Sequence, residues 1–368
     1  MISRNTAFTY QGKRVDTRQI GRELCVRYVL EGSARRLGNR IRVNAQLIDA
    51  ETDAHLWAER FDGDASDLFG LQDEITSRIA NTLGVELRAA DAARPTEHPD
   101  ALDYSLRGRA IRDSKGFTRE TRAEAISMYE RALALDPRYA NALSRLAGNL
   151  AGRAMDGMAD SAAADIARAE GLADQALVVS PRSSEAHYAK AQVLRARAQV
   201  LREEGRCEEA ITEYEMVLSL DRNFVFAMPP LGWCKFLTGS MDEAIPIFER
   251  ALRLSPRDPT IFLSYLFIGQ VHLVQSRIDE AVIWLERARN ANPAHPLIRG
   301  WLTSAYALKG ETDRAAAELA EARRLSSDGR FSSIARVKAA TYFGVPKVRA
   351  LVEATYLRGL QLAGMPEE

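Results

Sequence analysis

The chain predicts a mainly α fold: an α-solenoid of about six helix–turn–helix units, preceded by a small α/β module with an antiparallel hairpin sheet. Three observations predict it. Gly239 to Pro256, GSMDEAIPIFERALRLSP, reads as a turn, an amphipathic helix and a proline stop. Its small–large–small–stop pattern (Ala244, Phe248, Ala251, Pro256) returns at Ala125, Tyr129, Ala132 and Pro137, and at Ala281, Leu285, Ala288 and Pro293. Recurrence in units of roughly 20–50 residues marks a stacked architecture. Residues 26–47 instead alternate apolar and polar side chains around a Gly-Asn turn, the pattern of a half-buried hairpin. Finally, 368 residues are too many for one compact core unless that core is a solenoid.

Residues 1–88 make the α/β module. Asp16 to Leu24 forms a short helix with Ile20 and Leu24 on one face. Val26 to Ala34 reads as a strand with Val26, Tyr28 and Leu30 inward, and Leu37 to Asn39 as a turn. A second strand sets Ile41, Val43, Ala45 and Leu47 inward, and a third around His55 to Arg60 carries Trp57. Ser66 or Asp67 then caps a helix through Leu68, Leu71, Ile75, Ile79 and Leu83. Arg35, Arg36, Arg40 and Arg42 read as the solvated face of the hairpin. A phosphate-binding patch would interleave aromatic platforms with the arginines, and none does.

Residues 89–100, AADAARPTEHPD, are the linker, being short, polar and twice interrupted by proline. The array then runs over 101–327 in six units, the first three irregular. Its second helices close at Pro137, Pro181, Arg222, Pro256, Pro293 and Ser327, spacings of 44, 41, 34, 37 and 34. Small residues let neighbouring helices approach to about 8–10 Å. Lys190 falls where an apolar residue is expected, which predicts a rotated or frayed first helix in the third unit. Pro229 and Pro230 predict a kink inside or at the start of the next first helix. Gly148 to Ala163 is loose and contains the second unit's extra loop. Residues 328–368 leave the repeat, and Val345 to Leu362 makes a capping helix over the last unit. The five basic and no acidic residues of 329–352 read as a solvated cap.

Fifty basic residues balance fifty acidic ones, so no global field draws nucleic acid or an anionic membrane. Cys25, Cys207 and Cys234 form no framework spacing, which suits a reducing compartment. The N-terminus has no apolar signal-peptide core, and the longest apolar run, residues 262–274, is too short to span a bilayer. Cytoplasmic localisation without membrane insertion is the expectation.

The spacings, the Leu231-Gly232 pair and the near form Ile268-Gly269 resemble tetratricopeptide repeats, whose period is about 34 residues. The run RELCVRYVLEGSARRLGNRIRVNAQLIDAETDAHLWAERFDG, followed by LFGLQDEIT, resembles the TolB-like module of bacterial multidomain regulators. That resemblance implies a further strand and helix before Ile2, so the module reads as partial, with an exposed sheet edge that offers self-association. The order of modules, with the tail ATYLRGLQLAGMPEE, resembles the C-terminal half of bacterial class III nucleotide cyclases. In those proteins a catalytic domain precedes the module, and in other relatives a winged-helix domain does.

The five histidines have no metal-ligand spacing, and neither GxGxxG nor GxxxxGK[ST] occurs, so no catalytic, cofactor or metal residue is assigned. The reading is a non-catalytic scaffold that binds a protein or peptide partner in a groove lined by first helices. Its alternatives are the regulatory part of an adenylate cyclase, or a transcriptional regulator without its winged helix. The groove should hold Phe226, Trp233, Phe236, Leu237, Leu266, Gln270, Leu273 and Ser304, with Trp233 and Phe236 open to a core reading. The Lys/Asn clamp of chaperone-binding relatives is not assembled, because Ser144 and Gly148 occupy its places.

Overall fold

The computed structural model describes residues 16–24, 26, 28–64, 100–115, 118–256, 258 and 260–368. The chain divides into two compact units, residues 1–91 and 92–368. Residues 1–15, the predicted helix from Ser66, most of the linker and Cys25 lie outside the described residues.

In the first unit, α1 (Thr17–Leu24) precedes a sheet of order β1-β2-β3, made of β1 (Tyr28–Leu37), β2 (Arg40–Asp49) and β3 (Ala54–Asp64). Both pairs are antiparallel, and Leu37 faces Arg40 across a turn in which Gly38 takes φ +60°. Ala45, Leu47, Trp57 and Phe61 form its core. Arg42 lies on the other face, paired with Asp62 across the strands at 2.6 Å. The sequence pattern differs in two places. A register shift between Leu47 and Ile48 turns both inward, so alternation breaks at the bulge. Val26 lies outside β1, and Leu30 is exposed rather than inward.

The second unit is built of helix pairs. Its first helices are α2 (Ala101–Lys115), α4 (Ala140–Met155), α6 (Ser184–Val200), α8 (Met228–Thr238), α10 (Ile261–Val274) and α12 (Pro296–Lys309). Its second helices are α3 (Arg119–Leu135), α5 (Ala162–Val179), α7 (Arg206–Leu220), α9 (Met241–Leu254), α11 (Ile278–Ala291) and α13 (Thr312–Leu325). Each helix packs on its partner and on the helix that follows. The repeated residues explain why. A Cβ on Gly108, Gly232 or Gly269 would come within 2.9, 2.7 and 2.6 Å of Tyr129, Phe248 and Leu285 respectively. In these three units the large residue of the second helix therefore rests on a glycine of the first, and the flanking alanines are buried.

Three expectations are corrected. α6 is continuous, because Lys190 reaches Asp174 (2.8 Å) and Glu170 (3.5 Å) and needs no rotation of the helix. Pro229 and Pro230 sit in the first turn of α8, where the missing N–H groups had no helical partner to lose. The loop of the second unit is short, since α4 runs to Met155 and α5 begins at Ala162 under a Ser161 cap.

The C-terminal segment does more than close the end. A 3₁₀ turn (Arg330–Ser332) leads to α14 (Ile334–Ala340), an extended stretch, α15 (Pro346–Val352), a π turn (Glu353–Leu357) and α16 (Arg358–Leu362). The predicted single helix thus carries a π turn in its middle. α16 packs on α12, the π turn on α12 and α10, and α15 on α8, so the segment runs back along first helices of three units.

Candidate functional site

A repeat array offers two kinds of face, and its first helices form the one that the sequence nominates for binding. In the last three units that face is occupied by the chain itself. Ser304 Oγ donates to the Tyr356 carbonyl (2.6 Å), and Tyr356 stacks on Trp301 with centroids 3.9 Å apart. A Cβ on Gly359 would lie 2.6 Å from Ser304 Cα, so only glycine lets α16 approach this closely. Further back, Val345 N–H donates to the Leu237 carbonyl (2.9 Å). Gly344, at φ +80°, lies so near that a Cβ would be 2.1 Å from the same oxygen. The segment reaches the third unit at Arg202, whose Nη2 donates to the Ala339 carbonyl (3.3 Å) and whose guanidinium lies 5.2 Å from the Tyr342 ring centroid. Val348, Val352 and Leu360 are fully buried there.

This locates the eight predicted groove residues. Phe236, Leu237, Leu266, Gln270, Leu273 and Ser304 are all buried. Phe236, Leu237, Leu266 and Leu273 share one core cluster with Val348, Val352, Tyr356 and Leu360, and Ser304 is tied to the same segment by its hydrogen bond to Tyr356. Trp233 is half-buried, stacked on Phe236 (4.9 Å) and on Phe267 of the next unit (4.7 Å), which makes it an inter-unit packing residue. Phe226 is 38% exposed beside Phe224, in the turn before α8. The spacing read from the sequence brings the residues together, but their cover is a segment far away in the chain.

The first-helix surface beyond that cover lies in the second and third units. α4 and α6 pack on each other far more extensively than the other neighbouring first helices do, and the small residues Ala147 and Ala151 of α4 share a buried cluster with Ala189 and Ala196 of α6. A Cβ on Gly148 would meet nothing within 4 Å. On α6 a polar stripe runs at helical spacing through Tyr188, Gln192, Arg195 and Gln199 to Arg202. Gln192 Nε2 donates to Tyr188 Oη (2.6 Å), and Arg195 Nη2 donates to Gln192 Oε1 (2.8 Å). The helical spacing of these residues is visible in the sequence, but the alanines between them hide it as a patch.

Elsewhere the polar groups serve the architecture. Arg145 binds Glu185 at 2.6 Å between the second and third units, and Arg122 pairs with Asp156 between the first and second. Glu318 takes Arg289 (2.5 Å) and Arg299 (2.9 Å) between the last two units. Cys207 and Cys234 are buried free thiols. The hydrogen bond between them lowers the Cys207 pKa and, with burial, raises that of Cys234. Among the described residues no group of three His, Cys, Asp or Glu could hold a metal, and no helix is long and apolar enough to cross a membrane.

The tetratricopeptide repeat family model matches residues 195–259 and 266–330. A Rhizobium meliloti (strain 1021) protein named "Putative adenylate cyclase 3" is 40% identical over 199 residues, covering 53% of this chain. The chain spans only 33% of that relative's length. Among solved structures, the APC/C hetero-tetramer Cut9-Hcn1 aligns at TM-score 0.52 and 15% identity, over 78% of this chain and 48% of that one. The human IFIT1 dimer with m7Gppp-AAAA aligns at TM-score 0.52 and 15% identity, over 82% of this chain and 66% of that one. At such identities the likeness concerns the fold alone. Matched residues, stacked helix pairs and neighbours of the same architecture agree: the helical unit is an array of tetratricopeptide repeats.

Proposed function

We propose that the chain is a non-catalytic, cytoplasmic interaction scaffold that docks a protein or peptide partner on the first-helix face of its second and third units. The single observation that carries this is the extent of the C-terminal segment. It covers α8, α10 and α12 and makes its last contact at Arg202, just beyond the end of α6, so it leaves the first helices of the earlier units uncovered. Extended peptides are held by such faces through a few anchored side chains, with the neighbouring contacts excluding water. Buried polar side chains such as Arg145, Glu185, Arg289 and Glu318 pair between units, which is an architectural use. We read the first unit as the partial TolB-like module that the sequence suggests, with an exposed sheet edge available for self-association.

Photo-crosslinking tests the docking surface. A benzoylphenylalanine at Tyr188 should give discrete adducts in cells, and one at Glu249 on the second helix α9 should not. Equal adducts from both positions would move the binding surface off the first helices.

A second reading has one observation in its favour, the relative named as an adenylate cyclase. On that reading this chain is the regulatory part of such an enzyme, and its partner is the catalytic domain. Purified chain should form no cyclic AMP from ATP with a divalent metal. Turnover by this chain would overturn the non-catalytic reading.

A further inference from the structure

Two of the chain's three cysteines meet inside the array. Cys207 stands in the first turn of α7 and Cys234 in α8, helices of the third and fourth units that pack on each other. Both are free thiols of one core cluster, 4% and 0% exposed. Their sulfurs share a hydrogen bond, which lowers the Cys207 pKa and raises that of Cys234. That is the sense expected when Cys234 donates its proton to the Cys207 sulfur. Burial alone would push both thiols up and leave them inert, and Cys207 goes the other way. Arg195 of α6 adds to this, because its guanidinium lies within electrostatic reach of both sulfurs and makes no ion pair among the described residues. Glu208, next along the chain, works against it. Cys207 also sits at an edge of the core. It follows a turn in which Arg202 and Gly205 take positive φ, +59° and +75°. Tyr342, half-buried in the extended stretch of the C-terminal segment, is within electrostatic reach of Cys207 and carries the exposed Arg202 on its ring at 5.2 Å. Local opening of such an edge admits a solute little larger than water.

We propose that Cys207 and Cys234 are an oxidisable dithiol, which hydrogen peroxide or an organic hydroperoxide closes to a disulfide between the third and fourth units. The site is independent of the docking surface. The Cys207 thiolate attacks the terminal peroxide oxygen. The O–O bond breaks, and the leaving oxygen takes up the Cys207 proton and departs as water or alcohol. Cys207 is left as a sulfenic acid. Cys234 Sγ then attacks Cys207 Sγ, the S–O bond breaks, and the hydroxide leaves as water with the Cys234 proton. The two thiols together lose two electrons, and the peroxide is reduced by them. The hydrogen bond already holds the sulfurs side by side, so the resolving thiol is in place. In a reducing compartment the bond is transient, made on exposure to oxidant and returned by thiol exchange.

The test uses the full chain carrying Cys25→Ser, treated under native conditions with a small molar excess of hydrogen peroxide, then denatured, alkylated and mapped by mass spectrometry. The expected product is a peptide cross-linked through Cys207 and Cys234, absent after dithiothreitol. Cys234→Ser should stop at the sulfenic acid on Cys207, captured by dimedone, and Cys207→Ser should leave Cys234 reduced. Full alkylation of both thiols after peroxide, or cross-linking only once the chain is unfolded, overturns the dithiol. So does oxidation of Cys234 in the Cys207→Ser chain as fast as in its parent, since Cys207 is then not the sulfur that meets the oxidant.

Discussion

Small side chains set the distance between helices in this molecule, and the positions at which they do so are individually testable. Ala251 on α9 is 4% exposed, packed with Val225, Met228 and Leu254. Ala251→Arg forces a long charged side chain into that seam, and should destabilise the helical unit by roughly 3–5 kcal/mol. Denaturant unfolding measures the loss, and an unchanged midpoint would mean that α9 does not pack as described. Trp233 makes the opposite point. Alone, its spacing fits a groove as well as a core, and only the flanking rings of Phe236 and Phe267 assign it to packing between units.

Among the elements, the C-terminal segment has the largest consequence. It is held by backbone contacts that tolerate no side chain, at Gly344 against Leu237 and at Gly359 against Ser304. Gly359→Val should push α16 away from α12, cost about 1–3 kcal/mol and open the extended stretch 341–344 to limited proteolysis. Gly171→Ala on α5 is the control, because its Cβ meets nothing within 4 Å and the helix gains up to about 1 kcal/mol. Equal protease resistance of both variants would show that the segment is not seated through Gly359. The same segment covers most of the first-helix residues that the sequence places in a groove. Helical periodicity says which face of α8, α10 or α12 is apolar. It does not say whether a partner or a remote part of the same chain covers that face.

For the molecule as a whole, the titration of buried groups separates two pH windows. Burial lowers the pKa of His272 and of His295, and the positive charges of Arg277 and Arg330 add to the effect. Each histidine therefore binds its proton less well folded than unfolded, so the unfolded state takes up more protons as pH falls below about 6.5. Stability should be complete above that value and decline as pH drops from about 7 to 5. The carboxylates of Glu286 and Asp328 are held below their usual range by hydrogen bonds, from Tyr306 and Arg314 and from Arg330 and Ser326 respectively. Their contribution is present above the usual carboxylate pKa of about 4 and is lost only below it. Melting temperatures against pH should show two declines, and replacing both histidines by Gln should remove the upper one. A single decline near pH 4 in the wild type would show that the histidines are not buried as described.

The number of repeats, their boundaries and the packing residues were legible in the sequence, because small–large–small spacing is a local property of each helix pair. The second helices end at Leu135, Val179, Leu220, Leu254, Ala291 and Leu325, each two residues before the predicted stop. The hairpin was legible for the same reason, up to the bulge after Leu47. Only tertiary structure decided which first-helix faces are open. The partners of Ser304 and Leu237 lie 52 and 108 residues further along the chain, at Tyr356 and Val345. No periodicity reports a contact at that separation. Arg195 is the complementary case, since its lack of a counter-ion appears only once every neighbouring carboxylate has been placed.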